Sequence, residues 1–224
     1  MVGLATLPML YPHAALAELE RVAVLPGIRG VGIATTIGDR ELSDRSFWPI
    51  YERIEELGLP IFLHPLKVIG HERLQPHYFN NLLGNPFDTA VAAAHLIFDG
   101  VLDRFPQLEI SLPHAGGALP ILIGRFDQGF AVSKRKGAAS RSPEHQPSHY
   151  LRRFTYDTIS HSAQVIQYLV ELVGADRIML GSDHCFDMGD REPVQFVSSI
   201  EQLDAKQRAQ ILGRTAARLL RLEA

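Results

Sequence analysis

The alternation of short apolar runs with longer segments of helical pattern constrains the fold of this chain more than any other feature. Six runs are predicted as strands, at residues 2–7, 29–34, 60–64, 108–113, 154–158 and 177–181. Helical patterns lie at residues 12–25, 47–57, onward from 85, 118–134, 161–173, 192–202 and 204–222. Apolar strands separated by helices are typical of a parallel sheet covered on both faces, so the sequence predicts an α/β protein.

Two architectures fit this alternation, and the ends of the strands favour one of them. A doubly wound sheet requires a Gly-rich turn after its first strand, whereas residues 7–12, LPMLYP, contain no glycine. A (β/α) barrel instead carries polar chemistry at the C-terminal ends of several strands, and histidines and aspartates follow the apolar runs here. We therefore predict a (β/α) barrel, with residues 1–224 forming a single domain.

Composition excludes several classes of partner. The formal net charge is −3, so the chain lacks the basic field that binds nucleic acid. The single cysteine, Cys185, rules out an internal disulfide and fits a reducing compartment. Since apolar runs stay well below about 18 residues, no membrane span is predicted and a cytoplasmic location is expected. The polar, small-residue stretch 137–148, GAASRSPEHQPS, is predicted to be a mobile loop.

Ionisable side chains that can bind a metal or transfer a proton lie at the ends of four predicted strands. FLHP ends one strand with His64, SLPHAGG ends the next with His114, YDT carries Asp157, and GSDH carries Asp183. The C-terminal ends of parallel barrel strands meet at one mouth, so these residues are expected to lie together. Two imidazoles and a carboxylate suit one divalent ion, most simply Zn²⁺, with Mn²⁺ also suitable.

For some residues near these strand ends the sequence leaves two interpretations open. Asp157 is an outer acceptor for the site or, as we favour, a cap of the following helix. His161 either lines the mouth or starts that helix, and His184 points either way. Arg125 is an isolated helical arginine, which binds a substrate carboxylate in some proteins and is solvated in most.

An ordered set of segments along nearly the whole chain resembles the amidohydrolase-related decarboxylases, most closely the aminocarboxymuconate semialdehyde decarboxylase group. The set comprises GLATLPM, PIFLHP, NPFDTAVAAAHLIFDGVLDRFP, HAGGALPILIGRFD, YDT and GADRIMLGSDHCFDMGD. The resemblance implies a metal-dependent (β/α)8 barrel that removes CO₂ from unsaturated or aromatic carboxylates without an organic cofactor. It also implies a homodimer whose interface helps to complete the site.

The same resemblance implies roles for individual residues. His64 and Asp183 become metal ligands, with Asp183 also acting in catalysis. His114 becomes the histidine that hydrogen-bonds the metal-bound water and transfers a proton. Arg125 corresponds to an arginine that contacts a substrate carboxylate.

Two departures from the family pattern stand out. The family also uses a His-x-His pair on its first barrel strand, and this sequence contains no His-x-His. In addition, six strands are predicted where a closed barrel needs eight. We expect the chain to lack the first two strands of its relatives, about a hundred residues judged by usual barrel lengths. Alternatively, six βα units form an open barrel whose edges a partner chain covers.

The resulting expectation is a metal-dependent, non-oxidative decarboxylase of a small unsaturated or aromatic carboxylate. Two alternatives remain open at the level of sequence. The same metal chemistry serves hydrolysis of a lactone, ester or amide. A barrel without its His-x-His strand is also compatible with an inactive subunit.

Overall fold

A parallel five-stranded sheet forms the centre of the computed structural model, which describes residues 2–136 and 143–222. Its strands follow chain order: β1 (Gly3–Thr6), β2 (Ile28–Ala34), β5 (Ile61–His64), β6 (Ile110–Leu112) and β7 (Phe154–Tyr156). Every pairing between neighbouring strands of this sheet is parallel. The predicted α/β architecture with a parallel sheet is thus confirmed. Two further strands, β3 (Thr36–Ile37) and β4 (Arg40–Glu41), form a small antiparallel hairpin that the sequence did not predict.

Helices connect the strands and pack on the sheet. They are α1 (Pro12–Ala23), α2 (Trp48–Leu57), α3 (Asn85–Phe98), α4 (Val101–Arg104), α5 (Leu119–Arg135), α6 (Ala163–Val173), α7 (Pro193–Ser198), α8 (Ala205–Ala209) and α9 (Thr215–Leu219). Buried side chains from both layers form one continuous hydrophobic core. Across residues 2–136 and 143–222, no helix combines the length and the apolar character needed to cross a membrane.

The predicted sixth strand at residues 177–181 is wrong as a strand. Only a single parallel bridge joins Ile178 to Tyr156 within the described chain, supported by the Met179 amide 2.9 Å from the Tyr156 carbonyl oxygen. One residue further on, the Leu180 amide donates to the carbonyl of Ile211 at 2.8 Å. Backbone groups that would extend a ladder are therefore used by the C-terminal helical region.

Helix boundaries differ from the sequence predictions in the middle and in the C-terminal part of the chain, where the helices predicted at 192–202 and 204–222 are observed as α7, α8 and α9. The helix predicted to run on from Asn85 breaks at Gly100, whose φ of 76° lies in the left-handed region. Asn85 is the first residue of α3, and the wide turn Asn80–Gly84 runs directly into the helix. Of the loop predicted at 137–148, residues 137–142 lie outside the described residues, and Pro147–Arg153 forms a 3₁₀ segment.

Candidate metal centre at the strand ends

His64 ends β5, and the strand itself sets its position. Ile61 and Leu63 point into the core, while His64 is half-buried at the end of the strand and pairs in register with Ala34 of β2. Its Nδ1 lies 3.1 Å from the Pro65 carbonyl oxygen. A carbonyl only accepts, so Nδ1 carries the proton and Nε2 presents a lone pair. Nε2 is buried and finds no hydrogen-bond partner among the described residues.

His114 follows β6 in a very different backbone conformation. It begins four consecutive residues with positive φ: 55° at His114, 54° at Ala115, 81° at Gly116 and 59° at Gly117. Glycine adopts this left-handed region freely, whereas each L-residue with a side chain pays about 1–2 kcal/mol. His114 and Ala115 therefore hold a strained turn, which in folded proteins is concentrated at functional sites.

The two glycines of this HAGG turn are required by close packing. A Cβ at Gly116 would lie 2.7 Å from the ring of Tyr156, and one at Gly117 would overlap the carbonyl group of Pro86. The Pro86 carbonyl also accepts from the Ala118 amide at 3.1 Å. The turn is thus pressed against both β7 and the start of α3.

The carboxylate of Asp157, just after β7, holds the turn from the other side. Its oxygens accept from the amides of His114 at 3.0 Å, Ala115 at 2.8 Å and Ile159 at 3.0 Å. The favoured prediction that Asp157 caps the following helix is therefore wrong: α6 begins after Ser162, and Asp157 binds the neighbouring strand end. Hydrogen bonds to an ionised acceptor contribute about 1.5–3 kcal/mol each, enough to offset the strain of the turn.

Asp183 reaches the same place from the loop after residue 181. Its own φ is 50°, and the loop folds back on itself, with the Asp190 amide 2.8 Å from the Ser182 carbonyl oxygen. Asp183 Oδ1 lies 3.7 Å from His64 Nε2, beyond a good hydrogen bond. Phe186, from the same loop, stacks on the His64 ring at 5.3 Å between centroids and 13° between planes.

His64, His114 and Asp183 together form a cluster with the composition of a metal site. Each offers a ligand atom, and these atoms lie within 4.8 Å of one another. His64 Nε2 and His114 Nδ1 are both buried without a hydrogen-bond partner in the described part of the chain. Buried imidazole nitrogens are normally satisfied, and a divalent ion accepts such lone pairs together with a carboxylate. These three residues therefore fit the divalent ion that the sequence predicts.

Burial and neighbouring charges shape the electrostatics of the cluster. Burial lowers the pKa of His114, and the nearby Asp157 and Asp183 carboxylates only partly oppose this. Burial likewise raises the pKa of Asp157, although its three amide donors and His114 act in the opposite direction. A neutral His114 at neutral pH is thus the form that the fold favours.

A cavity of about 320 Å³ opens beside the cluster. Most of its lining is apolar, and its polar groups come from the cluster and from a few loop residues. The lining residues are Asn81, Leu82, Pro86, His114, Ala115, Gly117, Ile121, Ile159, Ser160, His161, Val165, Asp183 and Met188. A small apolar cavity with a few convergent polar groups is the usual form of a small-molecule site.

The remaining predicted residues lie in different places. His161 lines the cavity with a left-handed φ of 54°. His184 and Cys185 are exposed beside Asp183 and do not line the cavity within the described chain. Arg125 is exposed on α5, one turn beyond Ile121, and does not line the cavity within the described chain.

Sequence reasoning missed two contributors to the site. Phe186 covers His64, but no local signal distinguishes it from any other exposed phenylalanine. Asp88 in the first turn of α3 is 2% exposed and accepts from the Thr35 hydroxyl and from the Ile69 amide at 3.1 Å. A buried aspartate in the apolar helix DTAVAAAHL was the available signal, because such carboxylates need partners. Asp88 ties the end of β2 to the loop after His64.

A family model described as amidohydrolase matches residues 1–222 of the chain. Among curated proteins, the 2-amino-3-carboxymuconate-6-semialdehyde decarboxylase of Dictyostelium discoideum is 32% identical over 222 residues, covering 99% of this chain and 61% of that protein. The protein of the same name from Caenorhabditis elegans is 25% identical, covering 92% of this chain and 58% of the relative. The chain thus spans about three fifths of the length of these relatives.

Solved structures give the same likeness. A 5-carboxyvanillate decarboxylase from Sphingomonas paucimobilis superposes with a TM-score of 0.90 at 29% identity, covering 99% of this chain and 67% of that one. A dihydroxybenzoic acid decarboxylase from Polaromonas sp. JS666, solved with manganese and the inhibitor 2-nitroresorcinol, gives a TM-score of 0.84. At 22% identity, with 100% of this chain and 70% of that one covered, the second comparison supports the fold alone.

Proposed function

The chain belongs to the amidohydrolase family, and from that membership we propose that it is a metal-dependent, non-oxidative decarboxylase of a small unsaturated or aromatic carboxylate. The observation that carries the proposal is the cluster of His64, His114 and Asp183, whose ligand atoms lie within 4.8 Å of one another beside an apolar cavity. The decarboxylases from Dictyostelium discoideum and Sphingomonas paucimobilis to which the chain is similar support the reaction class. We assign the activity to one domain spanning residues 1–224.

His64 and Asp183 are the residues we assign to the metal. His64 Nε2 is held with its lone pair outward because Nδ1 donates to the Pro65 carbonyl. When bound, a divalent ion supplies Lewis acidity that polarises a substrate oxygen. Zn²⁺ suits a site of imidazole and carboxylate, and Mn²⁺ is the ion present in the Polaromonas structure. We propose one ion of either kind, with no organic cofactor.

His114 is the proton donor in this proposal. As the bond to the carboxylate breaks, its electron pair stays on the ring or alkene carbon and CO₂ leaves. His114, which is neutral at rest, takes up a proton from solvent and gives that proton to the carbon, so the net reaction exchanges CO₂ for H⁺. Because burial lowers the pKa of His114, its protonated form is a stronger acid than a solvated imidazolium. Asp183 offsets the positive charge beside it.

The cavity suits a flat substrate with one or two polar substituents. The cavity offers apolar side chains to a ring, from Leu82, Ile121, Ile159 and Val165. His161 adds a polar group to the lining of the same cavity. The interior exceeds the space that a single benzene ring needs. The similar decarboxylases take their names from small unsaturated or aromatic carboxylates of this kind.

Arg125 reaches a substrate in this proposal only from a second copy of the chain, because it lies outside the cavity of its own chain. We therefore propose a homodimer that joins at the cavity mouth. Exposed apolar side chains there support this, with Ile121 73%, Leu82 46% and Val165 41% exposed. A cytoplasmic location is proposed from the single free cysteine.

The test combines metal content with product analysis. Purified protein is loaded with Mn²⁺ or Zn²⁺ and incubated with 2,6-dihydroxybenzoate and 5-carboxyvanillate, while CO₂ and the ring product are measured. We expect CO₂ release without net addition of water, and its loss in His64→Ala. Hydrolysis of a lactone or ester without CO₂ release would support the hydrolase alternative. Failure to bind one metal ion per chain would support the inactive-subunit alternative.

A further inference from the structure

The metal cluster does not account for the left-handed backbone conformation of His114 in the HAGG turn. His114 and Ala115 are the two residues of the turn that carry side chains, and each has a φ near 55°. The Asp157 carboxylate accepts from the amides of these same two residues, Oδ2 from His114 and Oδ1 from Ala115. The strained part of the turn is therefore the part that the carboxylate holds.

Asp157 is itself tightly fixed. Its Oδ1 also accepts from the Ile159 amide at 3.0 Å, which anchors the carboxylate to its own loop. A Cβ at Gly181 would lie 2.8 Å from Asp157 Cβ, so that glycine leaves the space in which the aspartate sits. Asp157 thus stands between the HAGG turn and the chain that leads to Asp183.

The alternative conformation of the turn would move the imidazole. In the left-handed turn, the His114 ring lies 5.5 Å from the His64 ring, edge to face, and borders the cavity. A relaxation of His114 and Ala115 to ordinary negative φ would swing the Cα–Cβ bond of His114 to a new direction. Without the carboxylate, the four HAGG amides would keep two hydrogen bonds within the described part of the chain, from the Gly116 amide to the Pro113 carbonyl and from the Gly117 amide to the His114 carbonyl.

We propose that Asp157 is a positioning residue for the proposed reaction: by binding the amides of His114 and Ala115 it holds the left-handed turn that aims the His114 imidazole at the cavity. The inference rests on the proposed function for its catalytic consequence and on the hydrogen bonds alone for its structural one. Asp157 acts through the backbone of His114, and so touches neither substrate nor metal in this scheme.

The test compares Asp157→Asn with Asp88→Asn, a matched buried aspartate whose partners are Thr35 and Ile69. Asparagine has one accepting oxygen in place of two. In Asp157→Asn we therefore expect amide hydrogen exchange to accelerate at least ~10-fold at one or more of His114, Ala115 and Ile159, with the nuclear Overhauser contact between the His64 and His114 rings weakened. Asp88→Asn should leave exchange at these three amides at the wild-type rate. Unchanged exchange in Asp157→Asn would overturn the proposal.

Kinetics separate positioning from general damage to the fold. We expect Asp157→Asn to lower kcat by about 10–100-fold, with KM and metal content unchanged. Adding Ala115→Gly, which removes the strain at one of the two clamped positions, should restore part of the lost kcat and of the ring contact. A kcat within 3-fold of wild type, a parallel loss of metal, or no rescue by glycine would contradict the proposal.

The two proposals fail in different ways. If metal-loaded wild type releases no CO₂ from any substrate offered, the proposed function fails. The exchange rates, the ring contact and the glycine rescue then still decide whether Asp157 holds the turn. If wild type is active and Asp157→Asn matches it, the positioning role fails and the function stands.

Discussion

His64 and His114 end neighbouring strands of one sheet, yet the backbone presents them in opposite ways. His64 continues β5 in extended conformation and is oriented by a hydrogen bond from its own ring to Pro65. His114 leaves β6 in a left-handed turn and is oriented through its main chain by Asp157. One ring is fixed by a local contact and the other by a residue 43 positions away.

The difference matches the two tasks proposed for these residues. A metal ligand needs a defined tautomer and lone pair, which the Nδ1 contact of His64 supplies. A proton-donating histidine needs its imidazole ring aimed at the substrate, while its ring nitrogens stay free to exchange a proton. Holding His114 by its amide leaves both ring nitrogens available for chemistry. Two identical side chains at equivalent strand ends are thus held in ways that suit the different roles proposed for them, metal ligand for His64 and proton donor for His114.

Replacing each histidine in turn should produce the largest difference between the two residues. His64→Ala should lower metal content from one ion per chain to below about 0.1 and abolish turnover, because a ligand is removed. His114→Asn should keep the metal and lower kcat about 10²–10⁴-fold. Metal analysis and steady-state kinetics on both variants check this. Equal loss of metal in the two variants would make both histidines ligands and remove the distinction.

The left-handed turn can be destabilised by a substitution that leaves both histidines in place. Gly117→Ala places a Cβ at a φ of 59° against the Pro86 carbonyl, so the free energy of unfolding should fall by about 2–4 kcal/mol. Gly124→Ala, in α5 where a Cβ meets no atom within 4 Å, is the control and should gain about 0.5–1 kcal/mol. Urea unfolding measures both. Similar stabilities for the two variants would mean that the turn is not constrained as described.

Metal-linked stability distinguishes the two histidines in a different way. Mn²⁺ at 100 times its Kd should add about 2.7 kcal/mol to the free energy of unfolding of the wild type. The same increase is expected in His114→Asn and should vanish in His64→Ala. Thermal unfolding with and without the ion, or with a chelator, provides the measurement. An increase that survives in His64→Ala would place the ion elsewhere.

His161 gives the smallest effect, because it lines the cavity outside the cluster. His161→Asn should raise KM for 2,6-dihydroxybenzoate about 10-fold, the loss of roughly 1.4 kcal/mol expected for one polar contact, while metal content stays constant. His13→Asn, an exposed histidine in α1, is the matched control and should leave KM unchanged. A KM that moves equally in both variants would remove His161 from the substrate site.

The architecture and the site cluster could be predicted from sequence because both follow from general rules. Apolar strands alternating with helices define a parallel sheet, and strand order brings His64 and His114 to one edge, which Asp183 reaches from the loop after a single bridge to β7. Three residues 50 or more positions apart could be placed together because each follows an apolar run, and the ends of such runs meet at one edge of a parallel sheet.

What escaped prediction depends on contacts between distant segments. The conformation of His114 and Ala115 opposes local preference, and the carboxylate that binds their amides belongs to Asp157, more than 40 positions further along the chain. Asp157 in turn looks like a helix cap from its neighbours in sequence. The run RIMLG has strand composition, yet Leu180 pairs with Ile211 instead of extending the sheet. In each case a partner far along the chain decides the outcome.

The chain-ordered sheet has a consequence for biosynthesis. Each strand of the central sheet pairs with the strand of that sheet that precedes it in the chain, so its pairing partner has always been synthesised first. Asp183 comes last among the cluster residues, more than a hundred positions after His64. In the proposed site, the second metal ligand is therefore synthesised only after all five strands of the central sheet.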